Sequence, residues 1–223
     1  TVTYTYDANH RALTGTNELG EQFFANTYDA QGRVIGQDDG VIASPTTGLA
    51  YTASAAGFKT VVTDRNAKSA TYEFDTQYRE TKATDATGAV VAKTYDVNGN
   101  VLTQTDANGK VTTTTYDARN NPLTVTDAAG RTVTMTYDSN DNMLTMTDAA
   151  GSTTTFTYDA SNRLLTRKNA LDQTTTYAYN ASGQVTQVTP PSGATITSTY
   201  AAGQLATMTD ATGNTTGFAY NAN

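Results

Sequence analysis

With 21 acidic against 14 basic side chains in 223 residues, the chain carries a formal net charge of −7 and its basic residues are scattered, which excludes the clustered Lys and Arg that a nucleic-acid backbone requires. Cysteine is absent, so disulfides and thiolate chemistry are excluded, and no apolar run reaches the ~20 residues of a membrane-spanning helix. Threonine makes up about a fifth of the chain and apolar residues 37%, a balance that suits an extended sheet with one wet face better than a two-layer core.

Taken from the N-terminus, an aromatic residue followed by Asx recurs down the whole chain. It stands at Tyr6-Asp7, Tyr28-Asp29, Tyr51 (without Asx), Phe74-Asp75, Tyr95-Asp96, Tyr116-Asp117, Tyr137-Asp138, Tyr158-Asp159, Tyr179-Asn180, Tyr200 and Tyr220-Asn221. From Tyr95 to Tyr179 the interval is 21 residues; two intervals of 23 flank Tyr51, and the last contracts to 20. A fixed period of this length is the signature of a repeat architecture. The array fills residues 1–223 as one unit, opening inside a strand at Thr1-Val-Thr-Tyr4 and closing in a turn at Tyr220-Asn-Ala-Asn223, which reads as a segment of a larger protein. Residues 36–69 are the least regular, and Pro45 with Ala53-Ser-Ala-Ala-Gly57 predicts longer loops or a bulged strand there.

One unit, Thr105 to Asp127, divides at its turn signals. Asp106-Ala-Asn-Gly109 and Asp117-Ala-Arg-Asn120 are four-residue turns, because a leading Asx can hydrogen-bond the backbone ahead and Gly or Asn tolerates positive φ. Between them run Lys110–Tyr116 and Asn121–Thr126, rich in the Val, Thr and Tyr that favour a pleated strand. No room remains for a crossover helix, so the fold class is all-β, a tandem array of antiparallel β-hairpins of about 21 residues forming a curved or spiral sheet. About ten hairpins at ~4.8 Å per strand give a ribbon ~95 Å wide, which closed into one ring is ~30 Å across, enough for an extended peptide and too narrow for a folded domain.

Period-two alternation assigns the faces. Counting back from each Tyr gives Thr114, Met135, Phe156, Tyr177 and Ser198 on one side, while the interleaved positions are almost all Thr. Leu102, Leu123, Leu144 and Leu165 form a column on the return strand, and the expectation is that the Tyr and Leu columns share the better-buried face, turned to the concave side.

Several arrangements invite a chemical reading. Asp96-Val-Asn98-Gly-Asn100 and Asp138-Ser-Asn140-Asp-Asn142 place oxygens like the start of a calcium loop, but the sixth positions are Val101 and Met143 and the twelfth Ala107 and Ala149, which points to turn-forming Asx. The sole histidine, His10, sits in a turn and reads as solvated. Paired carboxylates for glycoside hydrolysis should be singular, whereas these acids recur with every unit. No catalytic residue, cofactor or metal ligand is therefore assigned. Tyr72, Phe156, Tyr177 and Phe218 share the column two before the repeat aromatic and are the candidate glycan contacts, set against plain cross-strand packing. The glycosylation sequons Asn180-Ala-Ser182 and Asn214-Thr-Thr216 read as accidental.

Written as a consensus, Gly109–Asp127, Gly130–Asp148 and Gly151–Asn169 follow G-x-T-x-x-x-Y-D-A-x-G-x-L-T-x-x-T-D-A, and this resembles the YD-repeat (Rhs-type) family of bacterial polymorphic toxins, wall-associated proteins, insecticidal toxin complexes and teneurins. The resemblance implies a hollow spiral of β-hairpins that, in the bacterial toxins, encloses a C-terminal toxic domain. It makes this chain a non-enzymatic wall segment, with the parent chain's other repeats and C-terminal cargo as partners, in a secreted or cell-surface bacterial toxin or export system. The alternative is a carbohydrate- or cell-surface-binding module. The family's Asp-Pro-x-Gly autoproteolysis motif is missing from these residues, since Pro45, Pro122, Pro190 and Pro191 are none of them preceded by Asp.

Overall fold

The computed structural model describes residues 1–38, 47–64 and 66–221; Pro45 lies outside them. Among the described residues there are 21 strands and no helix, and the chain divides into two compact units, residues 1–112 and 113–223.

The first unit contains β1 (Thr3–Tyr6), β2 (Ala12–Thr16), β3 (Gln22–Tyr28), β4 (Val34–Asp38), β5 (Thr47–Ser54), β6 (Gly57–Thr63), β7 (Ser69–Phe74), β8 (Glu80–Thr84), β9 (Val90–Tyr95) and β10 (Val101–Thr105). Each pairs antiparallel with its neighbours in the chain. The second unit is built in the same way from β11 (Val111–Tyr116), which begins at the boundary, β12 (Pro122–Thr126), β13 (Thr132–Tyr137), β14 (Met143–Thr147), β15 (Thr153–Tyr158), β16 (Leu164–Lys168), β17 (Thr174–Tyr179), β18 (Val185–Thr189), β19 (Ile196–Ala201), β20 (Gln204–Thr209) and β21 (Thr215–Gly217).

The Asx-led turns follow one geometry. The N–H of the leading Asx bonds the carbonyl four residues on, as in Asp117 N to Asn121 O at 2.9 Å, and the N–H three residues on returns to the Asx carbonyl, as in Asn120 N to Asp117 O at 3.1 Å. That third residue takes a left-handed conformation, φ 75° at Gly109 and 72° at Asn120, which explains why Gly and Asn dominate the position.

The two ends of a repeat differ in register. At the Tyr-Asp end Tyr116 pairs with Pro122 but Thr115 with Thr124, leaving Leu123 unpaired as a bulge; the other end, Thr126 to Thr132 and Val125 to Val133, runs without one. Leu102, Leu144 and Leu165 sit at the same bulge position. This corrects the expectation that the Leu column lies with the Tyr column on the better-buried face, since Leu102, Leu144 and Leu165 are each exposed between half-buried neighbours. A bulged residue has no partner directly across the ladder to cover it, and Leu102, Leu144 and Leu165 remain 36–37% exposed.

Burial is shallow throughout. Met135, 9% exposed, is the one buried hydrophobic side chain among the described residues, paired across the ladder with Met146. The threonine columns are cohesive in their own way: Thr94 with Thr103, Thr115 with Thr124, Thr136 with Thr145 and Thr157 with Thr166 share hydroxyl hydrogen bonds of 2.6 Å, and Thr126 with Thr132 and Thr147 with Thr153 repeat this at 2.8 Å. These cross-strand pairs give the wet face polar contacts that β-branched side chains hold with little loss of rotamer freedom.

The longer loop or bulge expected at Ala53–Gly57 is not found. β5 and β6 run in unbroken register from Gly48–Thr63 to Ser54–Gly57, closed by Ala55 and Ala56 alone. The extra residues of this longer repeat lengthen its strands.

Candidate functional site

The repeated Tyr-Asp pair is the natural place to look for chemistry, and its geometry shows where each group is spent. In Asp117, Oδ1 accepts the backbone N–H of Arg119 (2.8 Å) and of Asn121 (2.9 Å). Asp96, Asp138 and Asp159 do the same with the residues two and four on. Oδ2 takes the side chain four residues on: Asn100 Nδ2 at 2.8 Å, Asn142 Nδ2 at 2.9 Å and Arg163 Nε at 2.7 Å. The carboxylates are thus held in the charged form. The backbone N–H four residues on is the largest influence lowering the pKa of Asp117 and Asp159, and the Asn side chain is the largest for Asp96 and Asp138, with partial desolvation opposing. A carboxylate poised for acid or base work would have its pKa moved the other way. The turns weighed as calcium loops, at Asp96 and Asp138, use both carboxylate oxygens to tie the turn itself.

The tyrosines look backward along the chain. Tyr28 Oη donates to the Ala12 carbonyl (2.7 Å), Tyr51 to Val34 (2.8 Å), Tyr95 to Glu80 (2.7 Å), Tyr158 to Met143 (3.0 Å), Tyr179 to Leu164 (2.8 Å) and Tyr200 to Val185 (2.8 Å). Apart from Val34, whose neighbouring ladder reaches undescribed residues, these carbonyls can be placed against the ladder that follows. The β14–β15 register begins only at Thr145 with Thr155, so the Met143 carbonyl lies outside it; Leu164 and Val185 are placed alike. Backbone acceptors left out of a ladder need a partner, and the phenol of the next hairpin supplies it. At Tyr158, burial raises the phenol pKa, assisted by the Asp138 carboxylate, which keeps the proton on the donor. Replacing Tyr158 with Phe removes one such bond and is expected to lower stability by about 1 kcal/mol, read as a shift in the urea midpoint with unchanged slope.

A further column escaped the sequence reading. The residue four after each Tyr-Asp aspartate is Arg11, Arg33, Arg79, Asn100, Asn121, Asn142 or Arg163, with Gln184 after Asn180. Besides pairing with its own turn, this residue ties that turn to the next one. Arg79 Nη1 donates to the Asp96 carbonyl (2.9 Å) while its guanidinium lies 4.7 Å from the Tyr95 ring centroid. Arg163 reaches the Asn180 carbonyl (3.1 Å) and the Tyr179 ring (4.9 Å). Asn121 and Asn142 reach Asp141 Oδ1 (2.6 Å) and Asn162 Oδ1 (2.9 Å). The signal was present as a column of long or forked amide and guanidinium donors at constant offset from the Asp.

The remaining candidates are scattered. Tyr6 and Tyr220 are 58% and 53% exposed, and Phe74 has no hydroxyl to donate. Tyr72 faces Ala83, Phe156 faces Arg167 and Tyr177 faces Val188 across their ladders, all half-buried; Phe218 is 39% exposed beyond β21. His10 occupies the left-handed slot of the first turn with φ 61°.

Four overlapping stretches, residues 95–132, 117–153, 137–171 and 158–195, match the RHS Repeat family. Residues 95–195 carry RHS repeats. Its fold matches crystal structures titled TcdB2-TccC3-Cdc42 (TM-score 0.60, 16% identity) and TcdB2-TccC3 without hypervariable C-terminal region (TM-score 0.60, 17% identity), covering 94% of this chain and 13% of each of those. A third, TcdB2-TccC3-TEV, matches at TM-score 0.53 and 14% identity over 96% of this chain and 15% of that one. The chain therefore shares the all-β fold of those proteins while spanning a small part of their length. No curated protein sequence matches. Among the described residues, no helix is long and apolar enough to cross a membrane.

Proposed function

We propose that this structural segment of RHS repeats is a wall panel of a shell that encloses a C-terminal toxin or other cargo of its parent chain, in a secreted bacterial toxin system, and that it performs no chemistry itself. The observation that carries the reading is the use made of the Tyr-Asp pair. From hairpin to hairpin the carboxylate ties its own turn, the phenol ties the hairpin before, and the residue four on ties the turn after. Groups that could act on a substrate are consumed in joining hairpins, as a wall requires. The fold shared with TcdB2-TccC3, a protein described as having a hypervariable C-terminal region, supports placing a variable cargo behind such a wall.

The test is protease protection in the parent protein. A downstream domain should resist digestion while the RHS array is folded and become cleavable once the array is unfolded; cleavage at equal rates in both states would overturn the proposal.

A further inference from the structure

In the first unit the regular seam is interrupted, and the interruption forms a cleft. The hairpin β5–β6 closes on Ala55 and Ala56 and so has no Asx turn to tie to its neighbour, and the next repeat aromatic is Phe74, which lacks the hydroxyl. A cleft of about 250 Å³ opens there, walled by Tyr51, Phe58, Thr60, Phe74 and Tyr78 with Arg33 at its side. Thr52 and Lys59 also border it, but they alternate along their strands with Tyr51 and Phe58, so the Lys59 ammonium belongs to the opposite face.

Tyr78 is the anomaly. It is the third residue after Asp75, where other turns of the chain place Gly, Asn, Asp, His or Ala, and it holds φ 63°. A bulky side chain in the left-handed region is costly, and this one remains 73% exposed. Its ring stacks on Phe58 at 4.5 Å between centroids and 11° between planes, forming one wall of the cleft.

We propose that this cleft binds a small uncharged aromatic ring. Two of the polar groups at its side are already engaged: Arg33 Nε donates to Asp29 Oδ2 at 2.7 Å while its guanidinium lies 4.5 Å from the Tyr51 ring centroid, and Tyr51 Oη donates to the Val34 carbonyl at 2.8 Å. A cation would meet the Arg33 guanidinium, an anion would find that charge paired with Asp29, and a sugar would bring a set of hydroxyls to walls that are mainly ring and hydrocarbon. A flat neutral ring meets aromatic faces and edges at the spacing aromatic pairs prefer, and the site has the concave, largely apolar character of a ligand cleft.

The experiment is an NMR titration of the 223-residue chain with N-acetyl-phenylalaninamide, using N-acetyl-alaninamide and glucose as controls, repeated on Tyr78→Gly. Glycine suits this backbone position, so the variant should melt no lower than the parent. The expected result is saturable shifts at Tyr51, Phe58, Phe74 and Tyr78 with the phenyl compound alone, and at least a fivefold weaker affinity in Tyr78→Gly. An equal response to glucose, absence of saturation or an unchanged affinity in the variant would overturn the site. A lowered melting midpoint in Tyr78→Gly would also overturn it, by showing that the ring serves only to clasp the fold.

Discussion

Gly57→Ala is expected to be the most damaging single substitution in the chain, lowering stability by about 3 kcal/mol or more. Gly57 follows the two-residue turn of β5–β6 with φ 138°, a conformation closed to side chains, and a Cβ there would run into the carbonyl oxygen of Phe74 and come within 2.8 Å of the Asp75 Cα. The obstacle is backbone, so no rotamer change relieves it. Gly109→Ala provides the control. It also has positive φ, 75°, but nothing lies within 4 Å of its Cβ position, so only the conformational cost of about 1 kcal/mol remains. Urea unfolding of both variants against the parent measures the difference; equal losses would show that the close approach of β6 to the Phe74–Asp75 backbone is not maintained in solution.

Acid should dismantle the turns collectively. Eleven aspartates among the described residues have lowered pKa values: Asp7, Asp29, Asp75, Asp85, Asp96, Asp117, Asp127, Asp138, Asp159, Asp172 and Asp210. In Asp29 and Asp75 desolvation is the largest influence and acts upward, and the hydrogen bonds from Arg33 and Arg79 together outweigh it. In Asp210 the Thr212 hydroxyl leads, followed by the Asn214 side chain, and the pKa falls to about 2. A carboxylate whose pKa is lower in the folded state contributes stability above its unfolded pKa of 3.8 and loses that contribution as pH falls through the folded value. The thermal midpoint should therefore be level from about pH 5 to 7 and decline from about pH 4 towards pH 2. Each carboxylate is at the surface and contributes modestly, so the size of the effect comes from repetition. A midpoint independent of pH across this window would mean that the Asx turns contribute nothing to holding the array.

The sequence made these turns legible because each depends on local residue types: Asp at the first position, Gly or Asn at the fourth, and Thr, Val and Tyr between. The threonine face was legible for the same reason, through strict alternation between Thr113, Thr115, Thr134 and Thr136 and their neighbours. The seam was less legible because its acceptors are backbone carbonyls, which leave no mark on residue type; nothing in Met143 or Leu164 announces that its carbonyl receives a phenol. The Leu column misled because alternation counts residues, and a bulge at Leu102, Leu144 or Leu165 breaks the count without an adjacent Gly or Pro to flag it; only at Leu123 does a Pro, Pro122, stand beside the bulge. The irregular segment misled in the opposite sense, since small residues at Ala53–Gly57 suggested slack where the backbone is most tightly approached. Tyr78 went unremarked because a tyrosine in a turn is unremarkable until its φ is known.

A hairpin of this array is held by its neighbours and not by a core of its own. This follows from the scarcity of buried side chains, with Met135 standing nearly alone, and from ties that run between hairpins. Denaturant unfolding of a series truncated by whole 21-residue repeats within residues 113–221 tests this most directly. The unfolding midpoint should fall with each repeat removed, and a single hairpin should be unfolded in water, as in other arrays stabilised by nearest neighbours. A midpoint that stays constant as repeats are removed would contradict it.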